Sequence, residues 1–260
     1  MEQDTKIAFL GTGAADWHGP DANGECRTFA SVLVDGHILV DCTASSLIRM
    51  AEMGINPTGV TDILITHSHS DHFDPAAIRE LARNRLNASG KPLTVHLEHS
   101  WSNQVHFDGA VVNGLTVETD FLIGSNCVTP LAANHIGAFP GEIALHFFFD
   151  KQDTRWLYAT DGGWLLARTW HWLRQRSLEC AVFDCTVGMG HAGDFRIFEH
   201  NALPMVFEMV AAMRRSQILK DNAPVILTHL ARTLHPGQKQ LESQLQLPFR
   251  AAYDGFILNL

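Results

Sequence analysis

Thr66-His67-Ser68-His69-Ser70-Asp71-His72 follows directly on the short apolar run 62–66, and this stretch decides how the rest of the chain is read. In an extended segment, side chains two residues apart point the same way, so His67 and His69 can converge on one point. The next turn brings Asp71 and His72 round to a second point nearby. Three imidazoles and one carboxylate in so short a span are a dense set of nitrogen and oxygen donors, the kind that suits divalent metals. The chain holds 15 His and 17 Asp in 260 residues. At that frequency H-x-H-x-D-H arises by chance roughly once in 80,000 starts, about 0.3% over the chain, so accidental clustering is the weaker reading.

Outward from this stretch, three more residues share one address, a polar donor at the C-terminal end of an apolar strand-like run. They are His135 after 128–133, Asp161 after 156–160 and His229 after 225–228. Taken singly, each reads as a hydrogen-bonded rim residue. Four strand-end positions that all carry His or Asp read together as one centre. Asp41 and Asp184 also end apolar runs and are candidates to hold imidazole tautomers from behind. For Asp184 a plain strand-end carboxylate is the competing reading.

Composition narrows the class. Apolar residues make up 46% and charged residues 18%, and the formal net charge is −9, so the chain is globular and a poor nonspecific partner for nucleic acid or anionic lipid. Its five cysteines are an odd number without a C-x-x-C pair, against a disulfide framework and a thiolate zinc knuckle. The polar start 1–6 reads as no signal peptide, and no apolar run reaches membrane-spanning length. Cytoplasmic localisation without membrane attachment is expected. No repeat or linker divides residues 1–260, so one domain is expected.

Strands are predicted at 7–10, 29–34, 38–41, 62–66, 93–97, 115–119 and 127–133, a hairpin pair at 142–149 and 155–160, and further strands at 181–184, 225–228 and 256–258. Helices are predicted at 45–53, stopped by Gly54, from Asp74-Pro75 to about 86, at 164–174 and near 201–214. Strands come first, then helix and strand alternate, and this happens twice. That order predicts an α+β protein with two layered sheets and helices outside.

The ordered set H-x-H-x-D-H, then His135, Asp161 and His229, resembles the signature of the metallo-β-lactamase superfamily. Leu10-Gly11-Thr12-Gly13 and the Val40-Asp41 strand end resemble it too. The resemblance implies a four-layer αβ/βα sandwich with two divalent metals, zinc or manganese with iron as a third candidate, at one edge of the sheets. It implies that His67, His69 and His135 hold one metal, that Asp71, His72 and His229 hold the other, and that Asp161 bridges them. The chemistry it implies is hydrolysis by a metal-bridging hydroxide. Asp71 is then both ligand and catalytic group, orienting that hydroxide or taking its proton.

A carboxylate at the bridging position resembles the phosphodiesterases, glyoxalase II thioesterases and lactonases of this superfamily rather than its β-lactamases. Phe183-Asp184-Cys185-Thr186, His200-Asn201-Ala202-Leu203, Val225-Ile226-Leu227-Thr228-His229 and Tyr253-Asp254-Gly255-Phe256 resemble the phosphoribosyl cyclic phosphate phosphodiesterases of the carbon–phosphorus lyase pathway, and less closely ribonuclease Z. That likeness makes His200 a second catalytic group, at the phosphate or the leaving oxygen; a helix-start surface histidine is the competing reading, and His191 a weaker rival. Two features depart from it: only Cys26 stands where those phosphodiesterases carry a cysteine cluster, and Pro75 stands where Gly is usual. The expected activity is a metal-dependent phosphodiesterase on a small cyclic phosphate ester, with a small phosphorylated substrate as partner, nucleic acid not expected and a homodimer left open. The alternatives are a ribonuclease Z-like endonuclease, a lactonase or thioesterase, and a non-catalytic metal carrier.

Three further readings await the structure. Gly11-Thr12-Gly13 reads as a tight turn, with phosphate binding by its N–H groups as the alternative. Trp17 and His18 lie in a loop that would overhang the cleft. His37, His96, His99, His106, His146, His171 and His235 fit no site and read as surface or structural.

Overall fold

The computed structural model describes residues 4–260; the first three residues of the polar start lie outside them. The first strands in chain order are β1 (Lys6–Gly11), β2 (Ser31–Val34), β3 (Ile38–Val40), β4 (Asp62–Leu64), β5 (Leu93–Glu98), β6 (Ala110–Leu115) and β7 (Phe121–Ile123). Then come β8 (Asn126–Ala132), β9 (Leu145–Lys151), β10 (Thr154–Ala159), β11 (Cys180–Asp184), β12 (Val225–Thr228), β13 (Phe249–Ala251) and β14 (Ile257–Asn259). The helices are α1 (Ala44–Glu52), α2 (Pro75–Ser89), α3 (His99–Ser102), α4 (Ala167–Leu173), α5 (Leu203–Arg215) and α6 (Gln238–Gln244).

Two seven-stranded sheets result, in the orders β14-β1-β2-β3-β4-β5-β6 and β13-β12-β11-β10-β9-β8-β7. Each has an antiparallel half and a parallel half: β3 to β6 run parallel in the first and β10 to β13 in the second. The last strand returns to the first sheet, pairing Ile7 with Leu258.

Period-two patterning assembles the layers. Ile7, Phe9, Val32, Val34, Phe147, Phe149, Trp156 and Tyr158 face the core between the sheets. The alternate residues Ala8, Leu10, Leu33 and Leu39 face α1 and α2, packing with Met50, Ile78 and Leu81. On the other sheet Phe148, Leu157 and Phe183 face Leu173 of α4 and Val206 and Val210 of α5. The product is the expected α+β sandwich in four layers: helices, sheet, sheet, helices. Each fully buried Phe or Leu contributes roughly 1.5–3 kcal/mol. No helix among the described residues is long and apolar enough to cross a membrane.

The start of α2 fixes the segment that carries the histidines. Asp74 Oδ1 accepts from Ala76 N at 2.8 Å and Ala77 N at 3.3 Å, with Pro75 at the first helical position. Gly90, at φ +68°, ends the helix.

Several elements differ from expectation. The strand predicted at 115–119 is instead Ala110–Leu115, and Glu118 takes φ +63° in the turn beyond it. β6 is an edge strand with Val111, Asn113 and Gly114 exposed, and its apolar run 110–112 is cut short by Asn113-Gly114. β7, β13 and α6 were too short or too polar to read. The helix expected from Trp164 starts at Ala167, leaving Trp164 exposed.

Candidate metal centre

Parallel pairing explains why the donors meet. Val40 pairs with Leu64, so the ends of β3 and β4 place Asp41 beside Thr66 and His67. Ala159 pairs with Phe183, which pairs with Leu227, so Asp161, Asp184 and His229 emerge side by side at one edge. Such carboxyl ends are where open sheets hold ligands. Asp41, Asp161 and His229 leave their strands with φ of 61°, 49° and 57°. These are left-handed conformations that cost about 1–3 kcal/mol and turn each side chain sharply into the edge.

Two donor groups form. In the first, His67 Nε2 lies 2.9 Å from His69 Nδ1, and His135 Nε2 lies 3.2 Å from that same atom. Asp161 Oδ2 is 3.4 Å from His67 Nε2 and 3.7 Å from His135 Nε2. In the second, Asp71 Oδ2 is 3.4 Å from His72 Nε2 and 3.7 Å from His229 Nε2. Asp161 joins this group as well, with Oδ2 3.2 Å from His72 Nε2 and Oδ1 2.9 Å from His229 Nε2. All seven residues singled out as ligands are thus together, with Asp161 in both groups.

The far nitrogens have partners that set the tautomers. His72 Nδ1 donates to Asp41 Oδ2 at 2.7 Å, and His67 Nδ1 to Thr66 Oγ1 at 3.0 Å. Thr66 donates in turn to Asp41. His229 Nδ1 donates to Thr186 Oγ1 at 2.8 Å, and His135 Nδ1 to the Glu199 carbonyl at 3.2 Å. The four Nε2 atoms therefore face inward.

This donor set fits divalent metal. Two donors each about 2.1 Å from one tetrahedral ion sit roughly 3.4 Å apart, and the observed separations bracket that value. His72 Nε2, His229 Nε2 and Asp161 Oδ1 are buried without a hydrogen bond. His229 Nε2 and Asp161 Oδ1 are close yet lack hydrogen-bond alignment, as donors aimed at a shared cation would be. Burial holds the His67 and His135 imidazoles below their ordinary pKa, keeping them neutral. Burial lowers the His72 and His229 imidazoles, but Asp161 and its neighbours outweigh it and raise both well above the ordinary value, so without a cation these two carry protons that a bound metal would displace. Burial pushes the Asp71 carboxyl up, but His72 and His229 outweigh it and hold it well below the carboxylate range, so Asp71 is ionised, as a ligand must be.

His200, placed just before α5, joins the edge. Its Nδ1 lies 2.8 Å from Asp184 Oδ2 and its ring stacks on His229 at 5.4 Å. Burial lowers its pKa, but Asp184 outweighs that and raises it. Asp184 is fully buried and also lies 3.4 Å from His229 Nδ1, so it is more than a strand-end carboxylate. A cleft of about 210 Å³ opens over the group, with Ala14, Ala15 and Asp16 on one side and Arg196 and Glu199 on the other.

Some expectations fall. The N–H groups of Thr12 and Gly13 both donate to the Thr28 carbonyl, so they face no phosphate. Nor is the segment a tight turn, since Gly11 ends β1, Gly13 bridges Phe29 and Leu230 in extended backbone, and the chain turns only at Ala15-Asp16. A Cβ on Gly11 would sit 1.9 Å from the Phe29 oxygen, which requires glycine there. Trp17 does not overhang the cleft: its Nε1 donates to the Leu230 carbonyl at 2.6 Å and the ring is buried. His18 and His191 are exposed and line no part of the cleft. His146, read as surface or structural, is buried and structural: a Cβ on Gly162, next to Asp161, would sit 2.5 Å from its Nε2. Sequence reasoning missed Thr66 and Thr186 as partners of the imidazoles, although both flank quoted donors.

Residues 5–108 match the family described as Anti-Pycsar protein Apyc1. A ribonuclease Z from Mycobacterium sp. (strain KMS) is 42% identical over 71 residues, which span 26% of this chain and only 23% of that protein. Whole-chain likeness is structural. The metallo-β-lactamase fold protein YhfI from Bacillus subtilis superposes with a TM-score of 0.76 at 13% identity, over 99% of this chain and 100% of its own. A diphosphatase from the PhnP family superposes with a TM-score of 0.71 at 18% identity, over 99% and 98%. The chain has the metallo-β-lactamase fold, with a cluster at its sheet edge that can hold metal.

Proposed function

We propose that the protein is a metal-dependent phosphodiesterase acting on a small, cyclic phosphate ester. The observation that carries this reading is His200: an eighth polar group at the centre, backed by the buried Asp184 and bordering the cleft. With Nδ1 engaged by Asp184, Nε2 is the nitrogen left to protonate or hydrogen-bond a departing oxygen. A thioester, whose thiolate leaves more readily than a sugar alkoxide, has less need of such a donor; a lactone, which also releases an alkoxide, is separated by the substrate panel below.

Two divalent cations, zinc or manganese with iron as the alternative, would be held by His67, His69 and His135 and by Asp71, His72 and His229 with Asp161 between, and would supply charge neutralisation at phosphorus and activation of water. Asp71 orients the attacking water from the cleft floor. The small cleft suits a small substrate. A neighbour named as a diphosphatase and a local relative named as a ribonuclease support action at phosphorus.

The second reading, an RNA endonuclease, is favoured by the 42% identity to ribonuclease Z over 71 residues. The net charge of −9 works against it, because a long polyanion must be brought to an acidic surface.

The test is one panel with Zn²⁺ and with Mn²⁺: a ribose cyclic phosphate, a transfer-RNA precursor, a lactone and a thioester. Turnover of the cyclic phosphate far above the rest is expected. Efficient cleavage of the precursor without turnover of the cyclic phosphate would replace this reading with the nuclease. Turnover of the lactone or thioester alone would remove phosphorus chemistry altogether.

A further inference from the structure

The residues between and after the metal donors have their own contacts, and these converge on one loop. Residues 134–143 leave β8 and re-enter β9, closed at the neck where Ala133 N donates to the Ala144 carbonyl at 2.8 Å. The loop supplies His135, the third imidazole of the first donor group. It is fastened back onto the H-x-H-x-D-H segment at two points.

The first fastening is polar. Ser68, between His67 and His69, is buried, and its Oγ accepts from Ala138 N at 2.8 Å and Phe139 N at 3.1 Å. The same hydroxyl donates to Glu142 Oε2, which also accepts from Phe139 N at 3.2 Å. Gly137 makes room for this carboxylate, since a Cβ there would sit 2.0 Å from Glu142 Oε2. The second fastening is aromatic. Phe139 stacks on Trp101 at 5.0 Å, and Trp101 packs edge-on against Phe73, the residue after His72.

We propose that Glu142 is a positioning residue for the metal site of His67, His69 and His135, its carboxylate acting through Ser68 to hold the 134–143 loop where His135 Nε2 meets the other two imidazoles. The inference rests on the metal-centre reading given above. It bears unequally on the two sites: His135 stands on this loop, whereas Asp71, His72 and His229 make no hydrogen bond to it, and the aromatic fastening that reaches Phe73 beside His72 does not involve Glu142. Asp161 is shared, but its strand is held by β9 and β11.

The experiment is a competitive chelator titration of the whole protein with Zn²⁺, resolving two equivalents, with folding of each apo variant checked by circular dichroism. Glu142→Ala is expected to weaken one equivalent by about 10–100-fold, the usual effect of losing a group that orients a ligand, and to leave the other near wild type. Glu142→Gln retains an oxygen acceptor for Ser68 and Phe139 and should recover most of the affinity. Gly137→Ala keeps Glu142 but displaces its carboxylate and should reproduce Glu142→Ala. Ser68→Ala, a smaller change, serves if Glu142→Ala does not fold, with the same selective loss expected. Wild-type affinity for both equivalents in Glu142→Ala or Ser68→Ala, an equal loss of both, or failure of Glu142→Gln to recover would overturn the proposal. A wild-type protein that binds fewer than two equivalents would instead overturn the two-metal reading beneath it.

Discussion

His72 Nδ1 and Asp41 Oδ2 lie 2.7 Å apart with neither side chain exposed to solvent, so the carboxylate just past the end of β3 dictates which nitrogen of His72 faces the second donor group. Asp41 can hold this place because Val40 pairs with Leu64, bringing the two strand ends level. It also accepts from Thr66 N at 2.8 Å, so one carboxylate anchors both the imidazole and the backbone leading into the histidine segment.

Asp41→Asn should therefore act on metal rather than on fold. Asn tolerates the left-handed backbone at this position. If its amide nitrogen turns towards His72, it donates where a proton was accepted and drives the imidazole to the tautomer with Nε2 protonated. Wild-type protein should bind two equivalents of metal, and Asp41→Asn should bind one of them about 10–100-fold more weakly. Chelator competition and elemental analysis read this directly. Unchanged affinity for both equivalents would show that His72 sets its own tautomer.

The donors were legible because they need only local signals. His67 to His72 are contiguous, and His135, Asp161 and His229 each follow an apolar run whose end the sequence marks. Their partners were not legible, because contacts between distant segments create them. Thr186 meets His229 across 43 residues, and Ser68 meets Glu142 across 74, and neither pair carries a periodic or spacing signal. Trp17 was misplaced for the same reason: its indole finds a carbonyl 213 residues away. The layers were legible from the order of elements, strands first and then helix alternating with strand, twice over. Which residues of Ile7 to Leu10 or Phe147 to Phe149 face the helices was not, because those runs are apolar throughout and only the two covered faces of each sheet divide them.

A second prediction concerns how the sheets are tied at Asp35, in the turn between β2 and β3. Asp35 accepts from Lys151 Nζ at 2.8 Å, from Asn126 Nδ2 at 3.1 Å and from Lys6 N at 3.0 Å, so it joins the first sheet to the ends of β8 and β9 in the other. Burial pushes its carboxyl up, but Lys151, Lys6 N and Asn126 outweigh this and leave it below its ordinary value of 3.8. A depressed folded-state pKa gives stability that is fully present above the unfolded value and is lost as pH falls through the folded one. Asp35→Asn leaves the buried Lys151 ammonium without its anion and should cost about 3 kcal/mol at pH 7. The gap between wild type and variant should persist down to about pH 4 and narrow progressively below it. Urea midpoints from pH 7 to pH 3 test this; a gap that is already absent at pH 7 would mean that Lys151 finds water instead.

The last prediction separates two roles for His200. Its ring is held by Asp184 Oδ2 at 2.8 Å and by stacking on His229, so it is fixed before substrate arrives. If it donates to the departing oxygen, its value depends on how badly that oxygen needs a proton. A sugar alkoxide leaves poorly and p-nitrophenolate leaves unaided. His200→Ala should then slow a ribose cyclic phosphate by something like 10²–10⁴-fold while slowing bis-p-nitrophenyl phosphate only slightly. Both rates are to be measured at saturating metal, with bound metal quantified in the same samples, because His200 touches His229 and its loss must not be confused with loss of a cation. Equal slowing of both substrates would keep the phosphodiesterase and reassign His200 to phosphate binding, where the quality of the leaving group is irrelevant. No slowing of either would leave His200 a structural partner of Asp184 and His229, and would take from the phosphodiesterase reading the observation on which it stands.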